Sequence, residues 1–308
     1  MLATASAATL DGPIHRSLVV APGVHLRVVE AGKMGARTPI VFIPGWSAGA
    51  DIWQGQVTRF AKYRRVIAFD PRSQGESSKT SAGNTPEQRA VDLHALLGHE
   101  HLGRPVLVGW SQAVQDIAAY VLKFGTRGIS GIVLVDAAVA DGAMGIVQRP
   151  QQAASQFALF ALYQSDQRAY LRGMFSAIIS KPQPAGIVDN AITVAMKTPP
   201  SNGIAMLVAD MFGKDRTKAL AEIDCPVLII ASASSGELDR QKAEVEHIKD
   251  ARVVEIQDSA HAVFLDQPAR FAAALSEFLN LIAAVESHRS KLAPSRRSAA
   301  TGLKEGTR

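Results

Sequence analysis

The chain has 308 residues, 47% of them hydrophobic and 20% charged, with one cysteine and a net charge of +5. This length and composition predict a soluble globular protein with a substantial core, and a lone cysteine excludes both an internal disulfide and a thiolate cluster for structural zinc. The basic excess sits in residues 287–308, where Arg289, Lys291, Arg296, Arg297, Lys304 and Arg308 face only Glu305. The neutral remainder excludes a nucleic-acid groove.

Met1–Leu10 is small and apolar but has no Lys or Arg before Arg16, so a frayed terminus is expected in preference to a secretory signal. Runs rich in Val, Ile and Leu then predict strands over 14–20, 24–30, 39–43 and 65–69, a helix over 86–102, a strand over 105–109, a helix over 112–124 and a strand over 130–135. Between 141 and 215 the rhythm breaks. Phe157, Leu159, Phe160, Leu162, Tyr163, Tyr170, Leu171, Met174 and Phe175 fall at helical spacings, with Pro182, Pro184, Pro199 and Pro200 as interruptions, and predict a helical insertion over the carboxyl edge of a sheet. Strands over 226–231 and 251–256 and helices over 239–249 and 268–285 complete the chain. The later strands are almost continuously apolar, as in a sheet covered on both faces, and the alternation predicts a mostly parallel α/β sheet. Cys225, just before a strand, is expected to be buried. No run reaches the roughly 18 uninterrupted apolar residues of a membrane span, and the expectation is a cytoplasmic protein with no membrane or nucleic-acid partner.

The stretch Arg104-Pro105-Val106-Leu107-Val108-Gly109-Trp110-Ser111-Gln112-Ala113 carries the chemistry. It reads as a buried strand, a sharp turn and a helix, with Ser111 at the tip and small residues two positions either side, as a crowded turn demands. That is the setting of an activated nucleophile. Three further signals occur, each behind its own strand: Phe42-Ile43-Pro44-Gly45-Trp46, then Phe69-Asp70-Pro71-Arg72-Ser73-Gln74-Gly75-Glu76-Ser77, and Ser259-Ala260-His261 before the final helix.

With these four signals in order, residues 14–285 resemble the α/β-hydrolase superfamily, in particular its small capped esterases, lactonases, cofactor-free haloperoxidases and C–C bond hydrolases. The resemblance implies an eight-stranded, mostly parallel sheet with helices on both faces, a hydrolase core at 14–140 and 216–286, a helical cap at 141–215, and flexible termini at 1–13 and 287–308. It implies Ser111 as nucleophile and His261 as base, with the backbone N–H groups of Trp46 and Gln112 as the oxyanion hole. Trp110 is expected to line the substrate pocket, with a core role as the alternative. Asp70 is expected to accept backbone hydrogen bonds from its own turn, Arg72 to brace neighbouring loops, and Asp116 to be solvated or bonded within its helix, with a place in the site lining as the alternative. Some positions depart from the family pattern: Ala113 stands where glycine is usual, Pro44 where histidine is common, and Gln74 and Ser73 replace residues that are often glycine and histidine or arginine.

The acid is open at this stage. Most of the family place it after the strand at 226–231, where this chain reads Ala231-Ser232-Ala233-Ser234-Ser235-Gly236-Glu237-Leu238-Asp239. Glu237 is the first choice. Asp136, at the end of the preceding strand, is the second, and Asp239 reads better as a helix N-cap. His94, His99 and His101 lie on or beside a polar helix without a carboxylate set, so no metal and no cofactor are expected. The expected function is hydrolysis of a carboxylic ester or lactone of a hydrophobic small molecule through an acyl-enzyme, by a monomer or homodimer. The alternatives are a cofactor-free C–C bond hydrolase or dioxygenase acting on an aromatic or N-heteroaromatic ketone, and a receptor that binds without turnover.

Overall fold

In the computed structural model, residues 12–292 are described apart from Met34 and Ala36. Most of the termini expected to be flexible, including residues 293–308, therefore lie outside the described residues. The elements in chain order are β1 (Ile14–Ala21), β2 (Val24–Ala31), β3 (Ile40–Ile43), α1 (Gln54–Ala61), β4 (Val66–Phe69), α2 (Pro86–Glu100), β5 (Val106–Trp110), α3 (Ala113–Phe124) and β6 (Gly131–Val135). Five helices follow: α4 (Ala143–Gln148), α5 (Pro150–Ser165), α6 (Gln167–Ile178), α7 (Ile187–Ala195) and α8 (Pro200–Phe212). The chain then returns through α9 (Lys218–Glu222), β7 (Val227–Ser232), α10 (Leu238–Glu244), β8 (Ala251–Ile256), α11 (Val263–Asp266) and α12 (Pro268–Leu292).

The eight strands form one sheet in the order β1-β2-β4-β3-β5-β6-β7-β8. β2 pairs antiparallel with β1 and β4, and every other pairing is parallel. Alternation along the central strands divides the core in two. Ile40 and Phe42 face one layer with Phe60 of α1 and Phe271, Leu275 and Phe278 of α12. Val41 and Ile43 face the other with Leu93 of α2, Ile117 of α3 and Leu220 of α9. Both faces exclude water, which is why β3 to β6 are apolar without a polar side. Gly131 lets α12 approach the sheet: a Cβ there would stand 2.8 Å from Ile282 Cδ1 and 3.0 Å from the Phe278 ring.

α12 runs on to Leu292, past the expected end at 285, and by length and mean hydropathy its stretch Pro268–Ser287 could cross a bilayer. Here it buries Phe271, Leu275, Phe278, Leu279 and Ile282 within the protein. α10 stops at Glu244 and gives way to a 3₁₀ turn at Val245–His247, short of the expected 249. α1 has no counterpart among the sequence expectations, because only Gln56, Val57 and Phe60 of its eight residues are buried and the apolar signal is thin. Cys225 is buried.

Candidate active site

β5 delivers its chain into the core edge at Trp110, and Ser111 follows in the left-handed region with φ 57°. A non-glycine residue there costs about 1–2 kcal/mol, and the neighbours leave no slack to relieve it. A Cβ on Gly109 would meet Ile117 Cδ1 at 2.6 Å and Ala113 O at 3.1 Å, and one on Gly45 would meet Ser111 Cβ at 3.0 Å. Ala113 fits fully buried where the family usually has glycine. The Ser111 N–H donates to Val135 O at 3.0 Å, which ties the turn to the end of β6.

β6 ends in the same way. Asp136 has φ 50° and is buried, its N–H donating to Ile230 O at 2.9 Å. One carboxylate oxygen, Oδ1, accepts from the Ser232 N–H at 2.7 Å; the other, Oδ2, lies 2.8 Å from His261 Nδ1. The imidazole is thereby oriented with Nε2 free of Asp136. The loop carrying it is itself fastened: Trp110 Nε1 donates to His261 O at 3.0 Å, and Asp266 Oδ2 accepts from the Ala260 N–H at 2.7 Å. Burial acts to raise the Asp266 carboxyl, but hydrogen bonds from Ala260, Ser180 and Lys181 outweigh it and hold the group below its ordinary value.

Glu237, the first choice for the acid from sequence, does not meet His261. Its carboxylate accepts from the Ala138 N–H at 3.2 Å and from Arg240 at 2.7 Å, because α10 begins at Leu238 and turns the side chain to the cavity rim. Asp239 is exposed in the first turn of that helix, whose N-cap position is Glu237 and not Asp239. The serines in this loop have a different use: Ser232 Oγ and Ser234 Oγ both donate to Ser259 O, at 2.7 and 2.8 Å, and Ser232 N–H fixes Asp136. Serine hydroxyls where an aspartate was expected, together with an aspartate at the end of the strand before, were the signal available for choosing Asp136.

Trp46 and Gln112 both line the cavity at Ser111 and His261. The loop of Trp46 is held by Gln74, which the sequence marks only as a departure from the family pattern. Gln74 donates through Nε2 to Gly45 O (3.0 Å) and Ala48 O (2.8 Å) and accepts from the Ser47 N–H (3.1 Å). This buried amide fixes the loop that lacks a histidine at Pro44. Asp70 behind it accepts from Glu76 N–H within its own turn, at 2.7 Å, and also from Ala50 N–H, at 2.6 Å, outside it. Gly75, φ 45°, is required there, since a Cβ would lie 2.1 Å from Asp70 Oδ2. Arg72 pairs with Asp92 through two bonds of 2.7 and 2.6 Å.

Two expectations need correction. Trp110 is buried in the core beneath the site and is not among the cavity-lining residues; its indole is spent on the His261 loop. Asp116 is neither solvated nor bonded within its own helix: it is buried and paired with Arg89 of α2 at 2.9 Å, a partner invisible without the α2–α3 packing.

The cavity has a volume of about 490 Å³ and lies between the sheet edge and the insertion. The apolar side chains that revealed the insertion do not face it. Phe160, Tyr163, Leu171 and Phe175 are buried, Phe157, Leu159 and Leu162 are exposed, and the lining from this region mixes Ile146, Leu207 and Met211 with Arg149, Gln152, Gln156 and Asp210. Among the described residues no cluster of three or more His, Cys, Asp or Glu could hold a metal ion.

Residues 40–274 match the alpha/beta hydrolase family. The chain belongs to that family. A non-heme haloperoxidase of Rhodococcus erythropolis is 33% identical over 104 residues, 33% of this chain and 38% of the relative. A bifunctional esterase/perhydrolase of Acinetobacter calcoaceticus is 30% identical over 101 residues, 32% of this chain and 37% of the relative. These matches thus span well under half the length of the curated relatives. In fold, the chain is similar to an esterase of Exiguobacterium antarcticum, with a TM-score of 0.77 at 20% identity over 87% of this chain and 100% of that one.

Proposed function

We propose that this α/β hydrolase is a serine hydrolase that cleaves a carboxylic ester or lactone of a small molecule through an acyl-enzyme. The observation that carries the reading is the buried Asp136 carboxylate on His261 Nδ1, with His261 and the strained Ser111 lining one cavity. His261 takes the Ser111 proton as Oγ attacks the substrate carbonyl, and Asp136 stabilises the imidazolium. The oxyanion rests on the Trp46 and Gln112 N–H groups. The protonated His261 then gives its proton to the leaving oxygen, and water, deprotonated by the same imidazole, releases the acid. Ile146, Leu207 and Met211 offer apolar contact to the substrate, while the polar lining favours substrates that also carry hydrogen-bonding groups.

The test is fluorophosphonate labelling with a panel of p-nitrophenyl esters and lactones, in wild type and Ser111→Ala. Label on Ser111 and a loss on the order of a million-fold in turnover in the variant are expected. Turnover of the variant at wild-type rate would overturn acyl transfer and favour the base-only C–C cleavage or oxygenation reading. The esterase/perhydrolase relative favours one second reading, in which hydrogen peroxide replaces water in the deacylation step and yields a peracid; hydrolysis that gives no peracid in the presence of peroxide would sink it.

A further inference from the structure

Asp210 was not anticipated from sequence and takes no part in the mechanism above, yet it lines the same cavity. It lies on α8, and its Oδ2 accepts from Gln112 Nε2 at 2.5 Å, so that a residue of the insertion grips the residue next to the nucleophile. Its other oxygen, Oδ1, is buried with no hydrogen-bond partner among the described residues. Beneath it lie Arg89 of α2, paired with Asp116 of α3, and Arg216, paired with Glu87 at 2.8 Å. Arg89 and Arg216 are themselves buried.

We propose that Asp210 is a positioning residue for the oxyanion hole: it holds the Gln112 side chain against α8 and thereby fixes the peptide whose N–H faces the developing oxyanion. The proposal rests on the acyl-transfer reading. A peptide at the tip of a strained turn has two ways to stay in place, its own helix and its side chain, and Gln112 is only the N-cap of α3, with no side-chain capping bond of its own. A donor displaced by a few tenths of an ångström from the oxyanion loses much of its value, since the hole works by being in place before reaction.

The strut also senses pH. The two arginines beneath Asp210 already have acidic partners, so a third carboxylate adds an unbalanced buried charge. Burial pushes the Asp210 carboxyl up to about 7, with Arg89 and the Gln112 hydrogen bond acting against that rise. Asp116, held by Arg89, adds to that rise, and across the cavity stand Asp141, Arg149, Glu237, Arg240 and His261. Above pH 7 the bond from Gln112 becomes charge-assisted and stronger. The hole is therefore held more firmly on the alkaline side.

The experiment compares wild type, Asp210→Asn and Asp210→Ala on p-nitrophenyl butyrate across pH 5.5–9, with Gln112 resonances followed by NMR in isotope-labelled protein. Asn keeps a carbonyl acceptor and cannot ionise; Ala removes the acceptor. The expected result is a roughly tenfold fall in kcat at little-changed KM for Asp210→Ala, set by loosening one oxyanion donor without removing it, with Asp210→Asn within about threefold of wild type. The wild-type to Asn ratio of kcat rises through pH 7, and His261 cancels from it because both proteins share that base. The Gln112 backbone and side-chain amide signals titrate near pH 7 in wild type and lose that step in Asp210→Asn. Equal losses in Asn and Ala, a change in KM with kcat intact, or Gln112 signals indifferent to pH would each overturn the proposal. If wild type cleaves no ester, the acyl-transfer reading fails by itself, and the Gln112 titration alone decides whether Asp210 governs that residue.

Discussion

The sheet edge and the insertion that covers it are held by different means. At the edge, Gln74 and Trp110 donate from their side chains to the backbone of the Trp46 and His261 loops, the Asp136 carboxylate accepts from the Ser232 N–H, and the Ser111 turn is tied by its own N–H to Val135 O. The insertion is fastened by aromatic packing together with polar tethers, among them the Ser180 and Lys181 N–H groups on Asp266, Asn202 on Ser73 and Ser47 on Ala195 O. Trp46 packs on Tyr163 at 4.9 Å and donates through Nε1 to Gly203 O at 2.8 Å, while Ala262 N–H reaches Ile178 O at 2.8 Å. Saturated polar networks specify one geometry, whereas apolar packing tolerates repacking. The site is thus built on the sheet edge, into which the covering helices reach through Asp210 on Gln112, while apolar lining residues such as Leu207 and Met211 are free to differ.

The sharpest way to break this contrast is at Asp136. Asp136→Asn removes the charge that stabilises the His261 imidazolium and is expected to lower kcat about 10⁴-fold, with Glu237→Gln measured beside it and staying within a few-fold. Equal and small losses in both would mean that the rigid edge does not supply the acid. Next comes Gln74→Leu, which leaves the Ser47 N–H and two carbonyls without their partner; a fall in kcat of roughly ten- to hundredfold, less than deletion of an oxyanion donor, is expected, read together with a thermal melt to separate rate from folding. Trp46→Phe keeps the ring contact but removes the Nε1 donor to Gly203 O, a carbonyl that still has its own helical partner in α8, at a cost of about 0.5–1.5 kcal/mol. Its melting temperature should fall while the rate on a small ester changes little; the reverse pattern would make the tether part of the chemistry.

The smallest expected effect concerns pH and stability. Burial pushes both Asp210 and Glu244 up to about 7, against the Val139 N–H bond in the case of Glu244. Unfolded, both ionise near the ordinary carboxylate value, so between roughly pH 4 and 7 the folded chain binds more protons and stability falls as pH rises. Asp210→Asn combined with Glu244→Gln should flatten this decline in chemical-denaturation midpoints measured at pH 5, 6 and 7.5. An unchanged slope would show that neither carboxyl holds its proton in the folded state.

How far the sequence could be read follows the same division. The central strands were legible nearly to the residue because two-sided burial writes a short, continuous apolar run, and Ser111 and His261 stood out as the serine at a strand end and the histidine in the loop before the last helices. The acid was not, since the choice between Asp136 and Glu237 depends on which loop closes over which strand, a matter of tertiary path. The insertion announced itself through Phe157, Leu159 and Phe160, but periodicity tells that a face is apolar and not what it faces. The partners of Gln74, of Asp210 and of Arg89 leave no local signal at all. Ala48 lies 26 positions from Gln74, Asp116 lies 27 from Arg89 and Gln112 lies 98 from Asp210, and only packing brings them together.

The left-handed turn at Ser111 has a consequence for anyone who improves this protein in the laboratory. Glycine adopts φ 57° without steric penalty, so a library selected for heat resistance alone is rewarded, by at most about 1–2 kcal/mol, for replacing the side chain of the proposed nucleophile. Selection for durability and selection for turnover pull in opposite directions at this position, and a screen that scores only survival will enrich inactive clones.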